Sequence, residues 1–114
     1  MKPVRFIGSA KDDLSAFPKS ARIRSGHELF MVQVGRDPAD WKPMPTVGPG
    51  ACEIRVQDQA GAFRVIYVAR FEDAVYVLHA FQKKSKRGIE TPKQDVDLIV
   101  QGYKEATELA KHEA

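Results

Sequence analysis

"CEIRVQDQAGAFRVIYVARFEDAVYVLHAF", residues 52–81, decides the fold. In its first six residues Cys52, Ile54 and Val56 alternate with Glu53, Arg55 and Gln57, the period of two that marks a half-buried strand. "DQAG" (58–61) supplies a turn ending in the glycine that a hairpin favours. "AFRVIYVARF" (62–71) follows as a second strand, "ED" (72–73) turns the chain, and "AVYVLHAF" (74–81) makes a third. The last two are apolar on both faces, as interior strands are. The stretch reads as an antiparallel meander.

Upstream of it, "RDPADWKPMPTVGPG" (36–50) holds Pro38, Pro43, Pro45 and Pro49 together with Gly48 and Gly50. Such a segment forms neither a regular helix nor a central strand, and it reads as a connecting loop with Trp41 as a plug over the core. Before the loop, Ala21, Ile23, Leu29, Phe30, Val32 and Val34 fit a helix from Lys19 to Val34 that Gly35 stops. "AKDDLSAF" (10–17) has room for two helical turns before Pro18, and "VRFIGS" (4–9) is a short strand. Downstream, "TPKQ" (91–94) places Thr91 as N-cap, Pro92 at the first helical position and Gln94 three residues after the cap. Val96, Ile99, Tyr103, Ala106 and Ala110 then recur every three or four residues, which predicts a C-terminal amphipathic helix.

At 114 residues, 43% apolar and 29% charged, the chain has the composition of one globular domain, residues 1–114. No apolar run approaches the roughly 18–20 residues of a spanning helix, and the basic N-terminus lacks the features of a signal peptide, so a cytoplasmic location is expected. Cys52 is unique, has no partner for a disulfide, and is expected to be a small buried residue. No histidine pair has ligand spacing, no nucleophile sits in a recognisable elbow, and the glycines at 48 and 50 do not make a phosphate loop. No metal or small-molecule cofactor is expected.

The polar residues of the meander carry the chemistry. Arg55 and Arg64 lie on strands joined by a tight turn, so pairing can bring them together on one sheet face with Glu53 beside them. Two guanidiniums repel unless a carboxylate or phosphate lies between them. The group is therefore either an anion site or an ion pair in which Glu53 neutralises its neighbours on a solvated face. Lys83, Lys84, Lys86 and Arg87 follow the third strand as a dense cationic run. That run is either loop charge or the edge of the same anion site, depending on register. His79 could move protons near neutrality, although a satisfied structural histidine is the commoner case in an apolar strand. His27 and His112 are expected on exposed helix faces.

Taken together, Glu53-x-Arg55, Gly61, Arg64-x-x-Tyr67, Leu78-His79-x-Phe81-x-Lys83-Lys84 and Thr91-Pro92 resemble the phage-derived Gp49-like group within the HigB/RelE toxins of bacterial toxin–antitoxin pairs. The resemblance is strong over residues 44–105 and covers the N-terminal part in outline. It implies an α+β domain in which helices pack on one face of a twisted, mainly antiparallel RelE-like sheet whose other face binds RNA. It further implies an endoribonuclease (mRNA interferase) that cuts messenger RNA on the ribosome, inhibits translation, and is restrained by a cognate helix-turn-helix antitoxin.

By this resemblance Arg55 and Arg64 bind phosphate and the transition state, and Lys83 and Lys84 bind the backbone, one of them a possible acid or base. His79 is the alternative proton carrier, and Glu53 is a base or an arginine orienter. Lys86 and Arg87 add RNA-binding charge outside the matched pattern. The chain departs from better-understood members in having no Tyr or His-Tyr pair at the end of the last strand. Two alternatives stand beside the nuclease: a ParE-like toxin that acts on DNA gyrase through protein contacts, and an inactive RNA-binding relative derived from a prophage.

Overall fold

The computed structural model describes residues 1–84 and 91–113. In chain order the elements are β1 (Val4–Phe6), α1 (Ala10–Ser15), α2 (Lys19–Gln33), β2 (Trp41–Pro43), β3 (Ala51–Asp58), β4 (Gly61–Val68), β5 (Val75–Lys83) and α3 (Lys93–Glu113). The strands form one sheet in the order β1-β5-β4-β3-β2. From β1 at one edge the chain crosses a face of the sheet as α1 and α2 and enters β2 at the far edge. It then returns strand by strand to lay β5 beside β1. That route makes the β1–β5 pairing parallel and the others antiparallel.

The expected meander is present, and its β3–β4 hairpin closes between Asp58 and Gly61. Gly61, at φ +134°, takes a backbone that other residues avoid. Asp58 fixes the turn twice over, accepting from the backbone N–H of Gln59 at 2.7 Å and from the Ser20 hydroxyl at 2.6 Å. The second bond anchors the hairpin to the start of α2.

Side-chain parity divides the core into two layers. Ile54, Val56, Phe63, Val65, Tyr67, Val75 and Val77 point to one face, where Leu14 and Phe17 at the α1 end and Ala21, Leu29 and Val32 of α2 cover them. Phe17 and Phe63 meet there with ring centroids 4.7 Å apart. Ala51, Ile66, Val68, Tyr76 and Leu78 point the other way, against Ile99, Tyr103 and Ala106 of α3. The fold is the expected α+β sheet with N-terminal and C-terminal helices packed on it. It differs from expectation in that the helices lie on both faces. The reason is legible in β4 and β5, whose buried residues occupy both parities and need a cover on each side.

Four further expectations are corrected. The proline-rich segment contains a strand, β2, whose Trp41, Lys42 and Pro43 pair with Ile54, Glu53 and Cys52. Proline is tolerated because β2 is an edge strand. Trp41 remains 37% exposed and is no plug, and Cys52 is half-buried rather than fully buried. Helix α3 begins at Lys93, its first turn closed by the Asp95 and Val96 N–H groups donating to the Pro92 carbonyl, so Pro92 flanks the helix rather than opening it.

Candidate functional site

Register brings the polar residues of the meander onto one face of the sheet. Arg55 is the direct cross-strand partner of Arg64, and Arg64 in turn faces Phe81 on β5. Glu53 pairs with Ile66, which faces His79, while Ala62 faces Lys83. All of these residues therefore share the face on which α3 lies. Helix α3 packs on Ile66, Val68, Tyr76 and Leu78, toward one end of that face. The arginine pair lies toward the other end, beside the β3–β4 turn.

β5 reaches this arrangement through an irregularity. Ile66 pairs with His79 and Tyr67 with Val77, so Leu78 is an extra residue on β5. The bulge keeps both Leu78 and His79 on the α3 face and so allows one strand to serve the α3 core and the polar group together.

The arginines are held differently. Arg64 is largely buried, its Nε 3.5 Å from Oε1 of a Glu53 side chain that is only 4% exposed. A second nitrogen of its guanidinium donates to the Phe63 carbonyl at 3.0 Å. Burial pulls the Arg64 pKa down from its ordinary value, Glu53 opposes that shift, and the Arg55 cation adds to it. Arg55 is more open and lies 3.3 Å from Asp40 through its Nε. That approach is an ion-pair contact without hydrogen-bond alignment, and the buried Nε donates to no acceptor among the described residues. Lys42 joins the group from β2, as the cross-strand partner of Glu53. Lys42, Arg55, Arg64 and Lys83 thus share a sheet face with the carboxylates of Glu53 and Asp40, a local excess of positive charge.

His79 is nearly buried, stacked on Phe81 with centroids 5.3 Å apart and bonded through Nε2 to Oδ1 of Asp95 at 2.7 Å. The contact ties the first turn of α3 to β5, where a carboxylate also complements the positive end of the helix. Lys83 and Lys84 part company. Lys83 ends β5 on the arginine face, whereas Lys84 lies beyond the strand and lines a cavity of about 500 Å³ with Phe17, His79, Gln94 and Asp95. Lys86 and Arg87 lie outside the described residues.

Sequence reasoning missed Lys42, Asp40 and Asp95. The first two sit in the proline-rich segment read as a loop, and β2 is too short to show alternation. Asp95 reaches His79 across 16 residues, a contact without a local signal.

The model of the family described as phage derived protein Gp49-like matches residues 12–104, from α1 into α3. The chain belongs to this family. The match spans Glu53, Arg55, Arg64, His79, Lys83 and Lys84, so the residues of the Gp49-like resemblance lie within the family's own extent. No curated protein matches the chain. Among the described residues no helix is long and apolar enough to cross a membrane.

Proposed function

We propose that this Gp49-like protein is the toxin of a toxin–antitoxin pair and an endoribonuclease that cuts messenger RNA during translation in the cytoplasm. The observation that carries the reading is the direct pairing of Arg55 with Arg64 on a face that also presents Lys42 and Lys83. Like charges directly opposite one another destabilise a sheet. A bridging phosphate turns that cost into binding, and the part-exposed Arg55 side chain is the one of the pair open to it.

RNA supplies its own nucleophile. The 2′-oxygen attacks phosphorus as its proton leaves, the O2′–P bond forms, and the P–O5′ bond breaks as the 5′-oxygen takes up a proton. The protein must stabilise the extra negative charge of the pentacoordinate phosphorus, and paired guanidiniums do that directly. Glu53, buried against Arg64, fits an orienter of the arginine better than a base. His79, committed to Asp95 and nearly buried, fits a fastening of α3 better than a proton carrier. Alignment of the substrate by the ribosome supplies much of the remaining rate, because positioning alone is worth several powers of ten. A helix-turn-helix antitoxin is the expected restraining partner, and the reading needs no cofactor.

The test is to induce wild type and Arg55→Ala in bacteria and map new RNA 5′ ends within minutes. Arg55 is chosen because it is the more exposed of the pair, so its loss should leave the fold intact. New ends inside translated frames, absent in the variant, are expected. Growth arrest without new ends would instead point to a protein target such as gyrase, and no arrest to a protein that only binds RNA.

A further inference from the structure

Helix α2 is apolar on two sides. Ala21, Leu29 and Val32 face the sheet, yet Ile23, Phe30 and Val34 at the outer surface are 59%, 46% and 43% exposed. At 100° per residue these three fall within a narrow stripe that runs for about 16 Å, three helical turns. Periodicity alone does not separate the two sides, because all six residues fit one helical pattern.

Two observations show what the stripe fits. Gly26 lies at the stripe's edge, in the interior of α2 and exposed, where glycine weakens a helix. A Cβ added there meets nothing within 4 Å among the described residues, so the chain's own packing gives no reason for it. Gly102 of α3 is the contrast: its Cβ would stand 3.1 Å from the Leu78 carbonyl. A glycine that internal packing does not require is accounted for by an outside backbone that comes close.

The second observation is charge. Arg22 and Arg24 flank Ile23 on either side, held by the carbonyls of Ser15 and Gln57, and Lys19 stands one turn earlier. The one carboxylate of α2, Glu28, is buried and accepts from the Ala39 N–H, so the helix itself presents cations without acids, while Asp58 of β3 meets Ser20 and acts on Arg24 at the sheet side and Glu72 lies beside Val34.

We propose that the outer face of α2 docks an amphipathic helical segment of another protein, apolar along its centre and acidic along both edges, with its backbone closest at Gly26. A second copy of this chain is the less fitting occupant, since a two-fold contact would gather Lys19, Arg22 and Arg24 of both copies into one interface to which α2 brings no exposed acid. The surface lies on the opposite side of the sheet from the arginine pair and does not depend on the nuclease reading.

The test uses a displayed library of random 20-residue segments selected on the full chain, followed by binding of the enriched peptides to Ile23→Glu, Phe30→Glu and Gly26→Ala. Enriched peptides with apolar residues three and four apart and Asp or Glu beside them are expected, losing tenfold or more in affinity on either glutamate variant and threefold or more on Gly26→Ala. Gly26→Ala should raise the midpoint of thermal unfolding by about 4 °C, so its weaker binding cannot come from misfolding. No enrichment, enriched peptides that bind the variants as well as wild type, or a wild-type dimer dissolved by Phe30→Glu would overturn the proposal.

Discussion

Arg55 and Arg64 stand directly opposite each other on β3 and β4, and each leans on a different carboxylate, Asp40 at 3.3 Å for the first and Glu53 at 3.5 Å for the second. Followed through the contacts, the order is carboxylate, cation, cation, carboxylate: Asp40 before β2, Arg55 on β3, Arg64 on β4, and Glu53 back on β3, reaching Arg64 diagonally. This order separates the two roles of the pair: Glu53 fixes Arg64 in a buried position, and Asp40 holds Arg55 loosely at the surface. Sheet stability and phosphate binding therefore respond differently to substitution.

Arg64→Ala should lose RNA cleavage and also cost about 3 kcal/mol of stability, because it strands a buried Glu53 carboxylate. Glu53→Gln combined with Arg64→Met should restore most of that stability and none of the activity. Urea unfolding alongside the cleavage assay distinguishes the two losses. Recovery of cleavage in the double variant would remove Arg64 from the site.

Much of this is legible in the amino-acid sequence. The meander, the helix from Lys19 and the C-terminal helix follow from periodicity, because each carries enough turns or alternations to reveal its period. What escaped was short or non-local. β2 has three residues, too few to alternate, and it carried Lys42 out of view. The sharing of a face by Arg55 and Arg64 was expected from the tight turn, whereas the partition of Lys83 from Lys84 depended on where β5 ends. The placement of α3 on the far face was encoded in the double-sided burial of β4 and β5, but the chain's path decided which helix covered which side.

Lys83→Ala should weaken binding of a single-stranded RNA and lower the slope of log affinity against log salt by about 1, as the loss of one phosphate contact requires. Lys84→Ala should leave the slope close to wild type, because this residue faces the cavity beside Asp95. Fluorescence anisotropy between about 50 and 200 mM salt makes the comparison. Equal effects of the two variants would mean that the cationic run acts only as diffuse charge.

Gly102→Ala sets helix propensity against packing. Propensity alone favours alanine by about 1 kcal/mol. The added methyl, however, would press on the Leu78 carbonyl at 3.1 Å and the Leu78 Cβ at 3.4 Å, where α3 crosses β5. Overpacking of this kind costs about 1–3 kcal/mol, so a net loss in denaturant midpoint is expected. A gain would show that α3 shifts outward freely.

Alkaline pH should act through Cys52 and Tyr67, which are paired across β3 and β4. Burial is the leading cause of the upward shift in both, and it holds the Cys52 thiol above its ordinary 9.0 and the Tyr67 hydroxyl above its ordinary 10.0. With the folded-state value raised, each group contributes stability that is complete below its unfolded value and is lost as pH rises through the folded one. The urea midpoint of wild type should therefore hold steady near neutrality and fall from about pH 9 upward. Cys52→Ala should remove the part of the decline that begins near pH 9, and Tyr67→Phe the part that begins near pH 10. Comparing each variant with wild type cancels the titration of exposed lysines, which all three proteins share. If both variants keep the full wild-type decline, the two groups ionise as readily in the folded chain as in the unfolded one, and burial on this face is weaker than the packing of Tyr67 implies.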